Sequence, residues 1–89
     1  MKAVLTVVGR DMVGILADVS AECAKNNVNI EEVSQSVLQD LFCMIMLVDV
    51  SKCPLPLVDF AELMGAQGKE KGLAIHLMHE DIFQAMHRI

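Results

Sequence analysis

The run LFCMIMLVDV, residues 41–50, limits what this chain can fold into more than any other stretch. At the two-residue period of a strand, both of its alternating sets are apolar: Leu41, Cys43, Ile45 and Leu47 on one side, Phe42, Met44, Met46 and Val48 on the other. A sheet with one bare face alternates polar and apolar residues, so this strand needs cover on both faces. An 89-residue chain is one domain, and a domain of that size buries only ~60 to 65% of the surface its unfolded form exposes. Yet 54% of the residues are hydrophobic, above the ~45 to 50% of ordinary soluble domains, an average that also counts Gly. No spare element is large enough to cover the second face or edge, so a second copy is expected there, and a closed two-fold dimer is the commonest form.

The other elements follow from changes of period. Residues 3–8, AVLTVV, are short, β-branched and apolar and end at Gly9, which reads as a buried strand. Ile15, Leu16, Val19 and Cys23 then fall on one helical face, with Asp18, Glu22 and Lys25 on the other, and Asn26-Asn27 supply residues that tolerate a left-handed C-terminus. VNIEEVSQSVL and the run at 41–50 flank Gln39-Asp40, the spacing of a tight hairpin. Pro56 suits a first helical residue and Leu57, Phe60, Ala61 and Met64 share a face before Gly72, while Gly65 and Gly68 soften the second half of that helix. LAIHLM is a fourth strand, and EDIFQAMHRI places Ile82, Phe83, Met86 and Ile89 along a short terminal helix. The order βαββαβ plus a helix predicts an α+β, ferredoxin-like two-layer sandwich, with both internal helices on one face of a four-stranded antiparallel sheet.

Several function classes are excluded. Net charge is −5 and the seven basic residues are scattered, which repels nucleic acid, and three Phe with no Trp or Tyr provide no stacking platform. No apolar run approaches the ~18 residues of a membrane span, and Met1-Lys2 lead into a strand without a cleavage-site pattern, so a soluble, cytoplasmic chain is expected. Cys23, Cys43 and Cys53 form no C-x-x-C pair and read as reduced thiols. His76 and His79, three apart on a strand, point to opposite faces, which is wrong for one metal. The paired carboxylates Glu31-Glu32 and Glu80-Asp81 are sequence neighbours without a converging partner acid or base, so neither catalysis, cofactor nor metal is predicted.

VVGRDMVGIL, residues 7–16, has the G-x-x-x-x-G spacing of a phosphate loop, but Ile15 and Leu16 follow where Lys and Ser or Thr would hold the phosphates. Two readings stay open, a ligand site and a structural turn. Gly14 stands near the start of the first helix, where free N–H groups and the positive end of the helix dipole suit a carboxylate. Asp11 can accept from an ammonium, and the Asn29 amide can both donate and accept. Against this, Asp11 serves equally as a helix cap, Gly14 as a packing glycine and Asn29 as a turn residue, and Arg10 as a solvated charge.

VVGRDMVGIL, followed by NNVNI some fifteen residues later, resembles the ACT domain, the small βαββαβ regulatory module that binds amino acids and other small effectors. MKAVLTVVGRDMVGILADVS, SQSVLQDLFCMIMLVDV and EDIFQAMHRI are similar to the small free-standing members, which carry no attached enzyme. The resemblance covers residues 1–79 as the core and leaves 80–89 as a helical extension of a single domain. It implies a dimer with a ligand site at the subunit junction; whether dimers pair into tetramers, and which protein partner is regulated, stay open at this point. Carried over by position, Asp11, Gly14 and Asn29 match ligand-contacting residues of the family, and with their neighbours the candidate ligand-binding set is Gly9, Arg10, Asp11, Met12, Val13, Gly14, Ile15, Asn29 and Ile30. The loop departs from a common family form in having Asp11 and Val13 where Asn and Pro stand. The expected function is a non-catalytic amino-acid sensor, with a ligand-independent protein-docking module as the alternative.

Overall fold

In the computed structural model, which describes residues 1–10 and 13–86, the chain runs β1 (Lys2–Gly9), α1 (Ile15–Lys25), β2 (Asn29–Leu38), β3 (Leu41–Asp49), α2 (Leu57–Glu70), β4 (Ala74–His79) and α3 (Glu80–Met86). One four-stranded sheet has the order β2-β3-β1-β4, with antiparallel neighbours throughout. The ferredoxin-like arrangement is therefore present, with β3 and β1 inside and β2 and β4 as edges.

Alternation assigns the faces. Ala3, Leu5 and Val7 of β1 and Phe42, Met44, Met46 and Val48 of β3 are buried in one cluster with Ile15, Val19 and Cys23 of α1 and Phe60 and Met64 of α2. Burial pushes the Cys23 thiol up to about 11, as expected of a small core hydrophobe. Leu16, expected on the same helical face, is 40% exposed, because at 100° per residue it lies on the margin of the stripe that Ile15, Val19 and Cys23 centre.

Both helices end in the same motif. Val28 N donates to Cys23 O and Asn27 N to Ala24 O after α1, with Asn27 at φ 58°. Leu73 N donates to Gly68 O and Gly72 N to Lys69 O after α2, with Gly72 at φ 73°. These are paired Schellman bonds, and the residue that closes each, Val28 or Leu73, turns into the core. That is why β2 and β4 begin one residue later than their apolar runs. Pro56 likewise precedes α2 instead of opening it: its ψ of 152° is extended, and its carbonyl accepts from Asp59 N and Phe60 N.

The second face of the sheet is partly covered from within, by an element too short to cover it all. α3 folds back over β1 and β4. Val4, which points away from α1 and α2, is only 5% exposed, while Ile45, further along the same face, is 43% exposed. Ile82 and Met86 of α3 remain exposed, Phe83 is half-buried, and Ile89 lies outside the described residues.

Candidate functional site

The turn between β1 and α1 starts at Gly9, which is buried, and a Cβ there would run into the Leu73 side chain. The absence of a side chain at Gly9 is thus required by the packing of Leu73. Arg10 is exposed; Asp11 and Met12 lie outside the described residues; Val13 and Gly14 are exposed. Gly14 holds the N-cap of α1 at φ 77°, ψ −1°, a left-handed conformation that glycine adopts without steric cost, and its carbonyl accepts from Asp18 N at 2.9 Å. No described side chain caps this terminus. A Cβ built on Gly14 meets nothing within 4 Å among the described residues, so it is the left-handed backbone and not crowding that calls for glycine here. Ile15 is 4% exposed and belongs to the core, so only its backbone is available to a ligand.

Asn29 sits at the other end of the sheet. It pairs in register with Asp49, and Asp49 pairs with Lys2 at the start of β1, whereas the turn leaves from Gly9 at the end of that strand. Across β1 that is roughly 23 Å at ~3.3 Å per residue. The two halves of the expected site are thus not brought together within one chain.

Around Asn29 is a polar cleft of about 280 Å³ that sequence reasoning missed, lined by Asn27, Asn29, Asp49, Ser51 and Lys52. Asp49 Oδ1 accepts from Ser51 Oγ at 2.5 Å and Ser51 N at 2.9 Å and lies 3.8 Å from the Met1 amino group. These hydrogen bonds hold its carboxyl below the usual carboxylate range. The signal was in the sequence: Asp49-Val50-Ser51 has the spacing of a side chain bonding the backbone two residues on. Ile30, half-buried, faces the core side beside Val48.

β2 is the most exposed element. All of its residues except Ile30 are exposed, including Val33, Val37 and Leu38, and its outer backbone edge pairs with no described strand. A ten-residue edge of this kind is a ready template for another chain. His76 and His79 do point to opposite faces, and His79 Nδ1 accepts from Asp81 N at 3.0 Å. No described helix is long and apolar enough to cross a membrane.

A family model described as the ACT domain matches residues 2–76. The chain is 44% identical over 88 residues to a UPF0237 protein of Methanopyrus kandleri, covering 99% of this chain and 98% of that one. It is 46% identical over 87 residues to a UPF0237 protein of Neisseria meningitidis, covering 98% and 97%. Among solved structures, an ACT domain protein from Streptococcus pneumoniae superposes with a TM-score of 0.83 at 36% identity over 98% of both chains. A formyltetrahydrofolate deformylase from Pseudomonas syringae pv. tomato gives 0.78 at 26% identity, covering 88% of this chain and 27% of that one.

Proposed function

This chain belongs to the ACT-domain family, and on that premise we propose that it is a non-catalytic regulatory module whose dimer binds a small effector, an amino acid, between two subunits. The observation that carries the reading is the separation of Gly14 from Asn29 in a chain whose β2 edge is bare. A two-fold axis that pairs β2 with β2 of a second copy makes the strands antiparallel, so the start of one strand lies beside the far end of the other. Asn29 of one copy then approaches the β1–α1 turn of the other, and Asp49, Ser51 and Lys52 come with it. The α1 N-terminus takes the effector's carboxylate, and Asn29 with its polar neighbours takes the ammonium side. Because effector binding bridges two copies, it favours one dimer geometry over another, which is the differential affinity that regulation of a partner requires.

The test is thermal unfolding against each common amino acid, with oligomer size measured in parallel. A ligand at 100 times its dissociation constant adds ~2.7 kcal/mol, which moves the midpoint of a domain this size by about 10 to 20 °C. Gly14→Val and Asn29→Ala each abolish the response when tested alone. Mixing the two variants rebuilds about a quarter of all sites, since a mixed dimer joins one intact turn to one intact Asn29. A response that survives in either variant with unchanged affinity, or a mixture that restores nothing, removes the shared site. No response to any amino acid moves the reading to a docking module, for which the exposed Ile82 and Met86 on α3 are the available surface.

A further inference from the structure

A second cavity lies on the sheet face that α3 partly covers, remote from both the β1–α1 turn and the α1–α2 layer. It encloses about 560 Å³, within the ~300 to 1,000 Å³ of small-molecule sites. Its floor is apolar, from Val4, Ile45 and Leu47, and Phe83 of α3 forms one wall. Two acidic residues also line it, Glu32 on β2 and Glu80 at the start of α3.

The register places Glu32 at the cavity. Pairing of β2 with β3 slips between Ile30 and Glu32, so Glu31 is an extra residue and Glu32 falls opposite Leu47 on the cavity floor. Lys2 Nζ donates to Glu31 Oε1 at 2.8 Å, and that bond raises the Lys2 pKa above its usual value. Lys2 also feels the charge of Glu80 but is held at Glu31, and among the described residues no cation lies within ion-pair distance of Glu32 or Glu80. Two carboxylates over an apolar floor, in a chain of net charge −5, make a site of one sign.

We propose that this cavity binds an organic ammonium ion with an apolar body, an alkylamine or arylalkylamine that lacks a carboxylate. The ammonium lies between Glu32 and Glu80 and the apolar body lies on Val4, Ile45 and Leu47 beside Phe83. An amino acid is disfavoured, because its own carboxylate would face the two on the protein. The cavity therefore selects the class opposite in charge balance to the effector proposed for the subunit junction, and it rests on different residues.

The test is calorimetric titration of the whole chain with phenethylammonium chloride and, separately, with phenylalanine. Phenethylammonium binds, and affinity falls as salt rises. Glu32→Gln and Glu80→Gln, which keep shape and remove charge, each weaken it by about tenfold, the loss of one charge-assisted hydrogen bond. Circular dichroism confirms that both variants remain folded, as exposed Glu32 and half-buried Glu80 lead one to expect. Gly14→Val leaves phenethylammonium affinity unchanged, which separates this site from the junction. Absence of binding, binding by either Gln variant as tight as by the wild type, or equal binding of phenylalanine overturns the assignment.

Discussion

Two glycines three residues apart in α2 respond in opposite directions to the same substitution. Alanine in place of glycine in a helix interior gains about 0.5 to 1 kcal/mol from the narrower unfolded ensemble. At Gly65 the new Cβ lies 3.6 Å from the Ile75 carbonyl oxygen, an ordinary contact, so the gain is kept. Gly65→Ala therefore raises the midpoint by about 2 to 8 °C. At Gly68 the Cβ would lie 2.8 Å from Ile75 Cγ1 and 2.9 Å from the Leu73 carbonyl oxygen. The Ile75 side chain can shift, but the Leu73 backbone is tied to the same turn, since Leu73 N donates to Gly68 O at 2.7 Å. Overpacking of this kind costs about 1 to 3 kcal/mol, which exceeds the propensity gain, so Gly68→Ala loses about 1 kcal/mol and lowers the midpoint by roughly 4 to 8 °C. Thermal unfolding by circular dichroism, at one protein concentration so that self-association does not move the midpoint, reads both variants. A Gly68→Ala midpoint at or above that of Gly65→Ala refutes the claim that Gly68 is there for close approach of α2 to β4.

Gln39 opens the two-residue β2–β3 turn at φ 58°, where a side chain is disfavoured, so Gln39→Gly stabilises by about 0.5 to 1 kcal/mol; urea unfolding that shows no gain in midpoint refutes strain at this turn. Asp49 is bonded by Ser51, and its folded pKa lies below the unfolded value of 3.8. The stability this adds is fully present above that unfolded value and is lost as pH falls through the folded one. Asp49→Asn is accordingly less stable than wild type at pH 7, and the gap closes below pH 3.8; a gap independent of pH means that Ser51 does not depend on the charge of Asp49.

The βαββαβ order and the elements were legible because each carries one strong periodic signal, and the errors sit where backbone chemistry overrides it. Val28 and Leu73 look like strand residues, being apolar and next to β-branched runs, but each closes a helix C-terminus. Gly65 and Gly68 look like points of softness in a helix that runs, as expected, almost to Gly72, but packing against β4 uses the missing side chain at Gly68. In the same way, Gly9 is read from sequence as half of a loop motif with Gly14, although the first glycine makes room for Leu73 and only the second adopts a left-handed turn. One-letter patterns cannot separate these uses of glycine; a close approach is a property of the partner element, which for Gly9 is Leu73, at the far end of the chain's core. The cleft around Asp49 and Ser51 was missed for a related reason, since a short polar turn after an apolar strand has no period to mark it.

The double-sided apolar character of β3 has a divided answer. One face packs on α1 and α2, and part of the other is closed by α3, which leaves Val4 buried and Ile45 exposed. The β2 edge remains unpaired among the described residues, and Val33, Val37 and Leu38 along it are exposed. An effector of amino-acid size cannot span the roughly 23 Å from Asn29 to the β1–α1 turn of the same chain, at ~3.3 Å per strand residue. The residues picked from sequence therefore cannot all be contacts in a monomer, and pairing of β2 edges answers both the bare edge and the divided site with one contact. On this reading effector binding and dimerisation are linked equilibria: effector tightens the dimer by the same factor by which dimerisation tightens effector.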